Sequence, residues 1–62
     1  MIQYFENGTI RLIKENLRYK KNTVYRVWKW THNMWILNTR ICAKDFNEAY
    51  EKYLEQGGAL ND

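Results

Sequence analysis

Apolar and polar residues alternate along most of this chain, and the period changes near its end. Runs rich in Ile, Tyr and Phe at 2–5 and 9–14 flank Glu6-Asn7-Gly8. Asn-Gly between two such runs is a strong signal for a type I′ hairpin. With Asn7 and Gly8 as the loop, Phe5 faces Ile10, Gln3 faces Leu12, and Phe5, Ile10 and Leu12 share a core face. Residues 15–22 have no clear period and read as a basic loop with a short extended piece at 17–19. Residues 23–43 read as a second hairpin, with Thr31, His32 and Asn33 as its loop and Trp30 opposite Met34. That register puts Thr23, Tyr25, Val27, Lys29, Trp35, Leu37, Thr39, Ile41 and Ala43 on one face. Val24, Arg26, Trp28, Trp30, Met34, Ile36, Asn38, Arg40 and Cys42 fall on the other. A two-residue loop would reverse one strand relative to its partner, because side chains alternate with period two.

From Asp45 the period becomes helical. Asp45 is placed as an N-cap with Glu48 three residues on. Phe46, Ala49, Tyr50, Tyr53 and Leu54 follow as an apolar stripe. Glu48 and Lys52 form an i, i+4 pair, and Gly57-Gly58 supplies a stop. The expected fold is α+β: a small antiparallel β-meander of three to four strands with one C-terminal helix packed on one sheet face. It is a single domain divided into hairpin 2–14, basic loop 15–22, hairpin 23–43, helix 45–56 and a frayed tail 57–62.

Composition sharpens this picture. A 62-residue chain buries only about 60% of its unfolded surface, so its core is thin. One cysteine, Cys42, cannot form an internal disulfide, and one cysteine with one histidine makes a poor structural metal site. Three Trp, five Tyr and two Phe must supply the buried area, within one chain or in a homodimer through exposed tryptophans. The N-terminus lacks the basic and apolar regions of a signal peptide, and no run reaches the roughly 20 apolar residues of a membrane span. A cytoplasmic protein is therefore expected.

Charge is unevenly spread. Residues 1–44 hold nine basic residues against two acidic ones, a surplus of seven; residues 45–62 hold one against five, a deficit of four. A basic body with an acidic helix presents opposite fields on different faces.

Candidate chemistry is sparse. His32 falls in a turn with no acid, Ser or Cys beside it, so no general base has a partner. Arg40 lies two residues from Cys42 on the same expected face, yet a small half-buried strand cysteine accounts for this position. Glu48, Glu51 and Glu55 describe the solvated face of an amphipathic helix. No catalytic residue, metal ligand or cofactor site is assigned, and an enzyme is not expected.

What remains is a surface. Arg26, Trp28, Trp30, Asn38 and Arg40 stand together on the face opposite the expected helix, and large exposed apolar patches mark interaction sites. Arg forks onto guanine, Asn onto adenine, and Trp stacks on bases. Arg18, Lys20, Lys21 and Lys29 are placed as phosphate contacts. If the first hairpin instead curls over Trp28 and Trp30, the two rings are core.

A three-stranded sheet followed by one helix, with Arg and Trp on the free face, resembles the AP2-like and integrase arm-binding DNA domains. The likeness spans residues 23–57 and includes Phe46-Asn47-Glu48-Ala49, where those domains often have an aromatic opening the helix and an alanine three residues later. The glycines of their turns are missing between Thr23 and Gln56. The resemblance is one of architecture and implies DNA binding through the sheet; it assigns no residue roles.

Two functions fit these residues. One is a small DNA-binding regulator or accessory protein; the Asn-, Lys-, Tyr- and Ile-rich composition looks like a low-GC bacterium or its phage. The other is a protein-binding inhibitor, such as a phage anti-defence (anti-CRISPR-like) protein blocking a host nuclease or other host enzyme. There the tryptophans, the hot-spot type of residue, serve as anchors.

Overall fold

The computed structural model describes residues 1–57. Among these, four strands follow one another, β1 (Ile2–Phe5), β2 (Ile10–Tyr19), β3 (Asn22–Thr31) and β4 (Met34–Ala43), and one α-helix, α1 (Phe46–Glu55), comes after them. The strands form one antiparallel sheet in the order β1-β2-β3-β4. The expected α+β meander with a C-terminal helix on one face is the observed fold. The frayed tail falls almost wholly on residues 58–62, outside the described residues.

The first turn is built as its sequence requires. Asn7 and Gly8 both have positive φ, 56° and 89°, as type I′ demands. Phe5 pairs with Ile10 and Gln3 with Leu12, the expected register. Glu6 is also left-handed, at φ 53°, and a short 3₁₀ turn over Glu6–Gly8 ends the pairing.

Residues 15–22 are not a loop. β2 runs on to Tyr19 and turns through Lys20 and Lys21, at φ 51° and 70°, into β3. Neither lysine favours that conformation, so no turn signal marked it. Between Lys14 and Arg18 the register against β3 shifts, leaving a bulge in β2.

The last hairpin also departs from expectation. Its loop has two residues, His32 and Asn33, with φ 53° and 62°. Thr31 pairs with Met34 and Trp30 with Trp35. Trp28 then pairs with Leu37 and Val27 with Thr39, so Asn38 is an extra residue bulged out of β4. The shorter loop reverses the faces of Trp35 and Leu37. The bulge restores parity, so Tyr25 with Ile41 and Thr23 with Ala43 keep the face they were assigned.

The core lies between α1 and the sheet. It comprises Ile10, Leu12, Tyr25, Val27, Ile41 and Ala43 from the strands and Ala49 and Tyr53 from the helix, with Phe5, Phe46 and Tyr50 packed against them. Leu37 and Leu54, expected in this layer, are exposed. Asp45 caps α1 by accepting the Glu48 amide at 2.8 Å, and Lys52 pairs with Glu48 at 3.3 Å. Phe5 stacks on Tyr50 with ring centroids 4.2 Å apart, and the Tyr50 hydroxyl donates to the Glu6 carboxylate. These contacts fasten the first hairpin to the helix. Burial, helped by Asp45 and Glu48, pushes the Tyr25 hydroxyl above its ordinary pKa.

Candidate nucleic-acid interface

Alternation divides the sheet into two chemically different faces. Ile10, Leu12, Tyr25 and Val27 turn towards α1. The residues between them turn away, and among the described residues no element packs on that side. Cross-strand pairing assembles this open face in rows. Trp30 pairs with Trp35 nearest the last hairpin turn. The next row is Tyr4, Arg11, Trp28 and Leu37, and the one after it Ile2, Ile13, Arg26 and Arg40.

All three tryptophans therefore share the open face, with Trp35 joining Trp28 and Trp30. Trp30 and Trp35 meet edge to face with centroids 5.4 Å apart. Tyr4 reaches Trp35 at 6.2 Å. The Arg11 guanidinium lies 4.4 Å from the Trp35 ring centroid and 5.3 Å from that of Trp28. Both distances are within cation–π range. Trp28 is thus half-buried beneath an arginine rather than beneath a hairpin. Its indole Nε1 is shielded and has no hydrogen-bond partner among the described residues. Trp30 and Tyr4 remain the accessible rings, 43% and 53% exposed.

Glu15 organises the next row. One carboxylate oxygen lies 3.5 Å from Arg26 Nε and 3.4 Å from Arg40 Nε. The β2 bulge begins beside it, and Glu15 is the single acidic residue on this face among the described residues. Partly exposed ion pairs of this kind contribute only about 0.2–1 kcal/mol each. They hold the two guanidinia in place without locking them against a stronger anion.

The other expected site residues separate from this group. Asn38, bulged from β4, turns towards the helix and donates to the Tyr53 hydroxyl at 2.9 Å. Lys29 pairs with Ile10 and Ile36 on the helix side. Arg18, Lys20 and Lys21 sit at the β2–β3 turn, the opposite end of β3 from Trp30, with Arg18 Nη2 donating to the Lys21 carbonyl at 3.1 Å. Only Arg26, Trp28, Trp30 and Arg40 of the expected set stand together.

Arg11, Tyr4, Trp35 and Glu15 were missed. Arg11 was legible, since it sits between Ile10 and Leu12 and must face away from the core they occupy. Trp35 depended on the length of the last loop, and Glu15 lay in the stretch read as a loop.

The remaining titratable groups are dispersed. His32 Nδ1 lies 3.2 Å from Thr31 Oγ1 in the exposed turn. Cys42 is half-buried on β4, where Lys52 Nζ donates to its carbonyl at 2.9 Å. A recess of about 300 Å³ beside the β2 bulge is lined by Lys14, Glu15, Asn16, Leu17, Arg18 and Thr23. Among the described residues no three His, Cys, Asp or Glu side chains cluster as metal ligands. No helix there is long and apolar enough to cross a membrane. Comparison with protein families, curated proteins and solved structures finds no match.

Proposed function

We propose that this chain is a small non-enzymatic module that binds nucleic acid, DNA in the first instance, on the open sheet face. The observation that carries this is the joint placement of Arg11, Arg26 and Arg40 with Trp28, Trp30, Trp35 and Tyr4 on one uncovered surface. The exposed acidic residues Glu51 and Glu55 project from the helix behind it. The field therefore favours a polyanion on the open side over the helix side. The aromatic rings give bases a surface to lie on, and the arginines give phosphates partners.

The test is affinity for short DNA oligonucleotides, single- and double-stranded, at about 50 and about 200 mM salt; three phosphate contacts on a single strand give a log–log slope near −2. A slope between −1 and −3 is the expected outcome on this basis. Absence of binding at the lower salt rejects the proposal.

One observation favours a second function. Glu15 neutralises part of the arginine charge, and the patch of Trp30, Trp35, Tyr4 and Leu37 is apolar enough to anchor a protein. In that case the chain is an inhibitor that docks the same face on a partner enzyme. Retention of a partner from nuclease-treated lysate, lost in Trp30→Ala, supports it.

A further inference from the structure

Resting on the nucleic-acid reading above, we infer that the open face takes a single strand, with its bases unstacked on the tryptophan rows, rather than a duplex. The spacing of the sheet carries this. Successive side chains on one face are two residues apart, and at about 3.3–3.4 Å per residue their rows stand about 7 Å apart. Bases within a duplex strand are stacked at about 3.4 Å. A base resting on each of two neighbouring rows must therefore be drawn out of its stack, which a single strand allows at little cost and a duplex does not.

The side chains present agree with this geometry. The first two rows offer ring and guanidinium planes: Trp30 with Trp35, then Tyr4 and the Arg11 guanidinium above Trp28. Bases stack on aromatic rings and on arginine planes alike. The third row offers cations, Arg26 and Arg40, held side by side by Glu15 at 3.5 and 3.4 Å. The strand would run along β3, with bases on the tryptophans and two phosphates displacing the Glu15 carboxylate, one at each guanidinium. Base-edge readout in the major groove needs polar side chains reaching out from the sheet. Asn38, the amide expected to do this, is instead committed to Tyr53 on the helix side. Recognition of this kind uses base planes and charge, common to DNA and RNA strands, and discriminates weakly between sequences.

The experiment compares labelled oligo-dT and oligo-U of about 12 nucleotides, within the length one such platform covers, with a duplex of the same length. Anisotropy and tryptophan emission are recorded at low salt on the full chain. The expected result is binding of at least one single strand about tenfold or more tighter than the duplex, with quenched tryptophan emission. Trp30→Leu is expected to weaken single-strand binding about tenfold; Tyr4→Leu, with circular dichroism on both variants, covers the case in which one fails to fold. Duplex binding equal to or tighter than both strands overturns the single-strand inference and leaves the nucleic-acid reading standing. No binding of any of the three overturns both.

Discussion

Replacing Arg26 and Arg40 together by glutamine is expected to lower nucleic-acid affinity by about 100-fold, because charge-assisted hydrogen bonds contribute roughly 1.5–3 kcal/mol each and part of that is already spent on Glu15. The magnitude of the salt slope should fall by about 1.4, two contacts at about 0.7 each on a single strand. Glu15→Gln is expected to act in the opposite direction. Both guanidinia pair with one Glu15 oxygen. Removing that charge frees them, so affinity should rise by about two- to thirtyfold, the combined strength of two partly exposed ion pairs at ~0.2–1 kcal/mol each. The opposite signs separate a binding role from a structural one, since a mere loss of fold would weaken binding in both variants. The same titration at two salt concentrations reads both changes. Equal affinities for wild type and the double variant would remove the third row from the site.

Leu12→Ala is expected to cost about 2–5 kcal/mol, the range for truncating a large side chain in a packed interior. Leu12 is fully buried and pairs with Val27, also fully buried, at the centre of the sheet. A chain of 62 residues at roughly 0.05–0.15 kcal/mol per residue has about 3–9 kcal/mol of stability in total. The substitution therefore removes about half of it and moves the urea midpoint down in proportion. Leu54→Ala, at an exposed helix position, should shift the midpoint little, by ~0.5 kcal/mol or less. An unchanged midpoint in Leu12→Ala would contradict the placement of the core. The consequence extends to function, because β2 carries Leu12 on one face and Arg11 and Ile13 on the other. Loosening the core loosens the interface behind it.

The elements that were legible in the sequence are those whose local chemistry and tertiary setting agree. Asn7-Gly8 is a turn by backbone preference alone, and Asp45 caps α1 through its own side chain. Alternation of Ile10 and Leu12 with Arg11 and Ile13 fixed the faces of β2. The turns at Lys20-Lys21 and His32-Asn33 were harder to read for a physical reason. Four of their residues adopt positive φ without any glycine. Of these, only asparagine tolerates that conformation readily. The pairing of the long strands, not the local sequence, sets these turns. The bulge at Asn38 was invisible for the same cause. It shifts the register between Val27 and Trp28 and is accompanied by a hydrogen bond to Tyr53, a residue 15 positions away. The candidate interface inherits both errors. Arg40, on β4, lies on the expected face because the shorter loop and the bulge cancel; Arg26, Trp28 and Trp30 do so because β3 alternates without interruption. Trp35 and Asn38 exchanged faces because β4 does not.

The central claim is that the open face, and neither the helix nor the lysine turn, is the working surface. The three indole N–H groups of Trp28, Trp30 and Trp35 report on it directly. In a ¹⁵N-correlated NMR titration with a single-stranded oligonucleotide, the indole signals of Trp30 and Trp35 and the amides of Arg11, Arg26 and Arg40 should shift most, while those of Glu51 and Glu55 on α1 stay in place. Largest shifts at Lys20, Lys21 or along α1, with unmoved indoles, would contradict it.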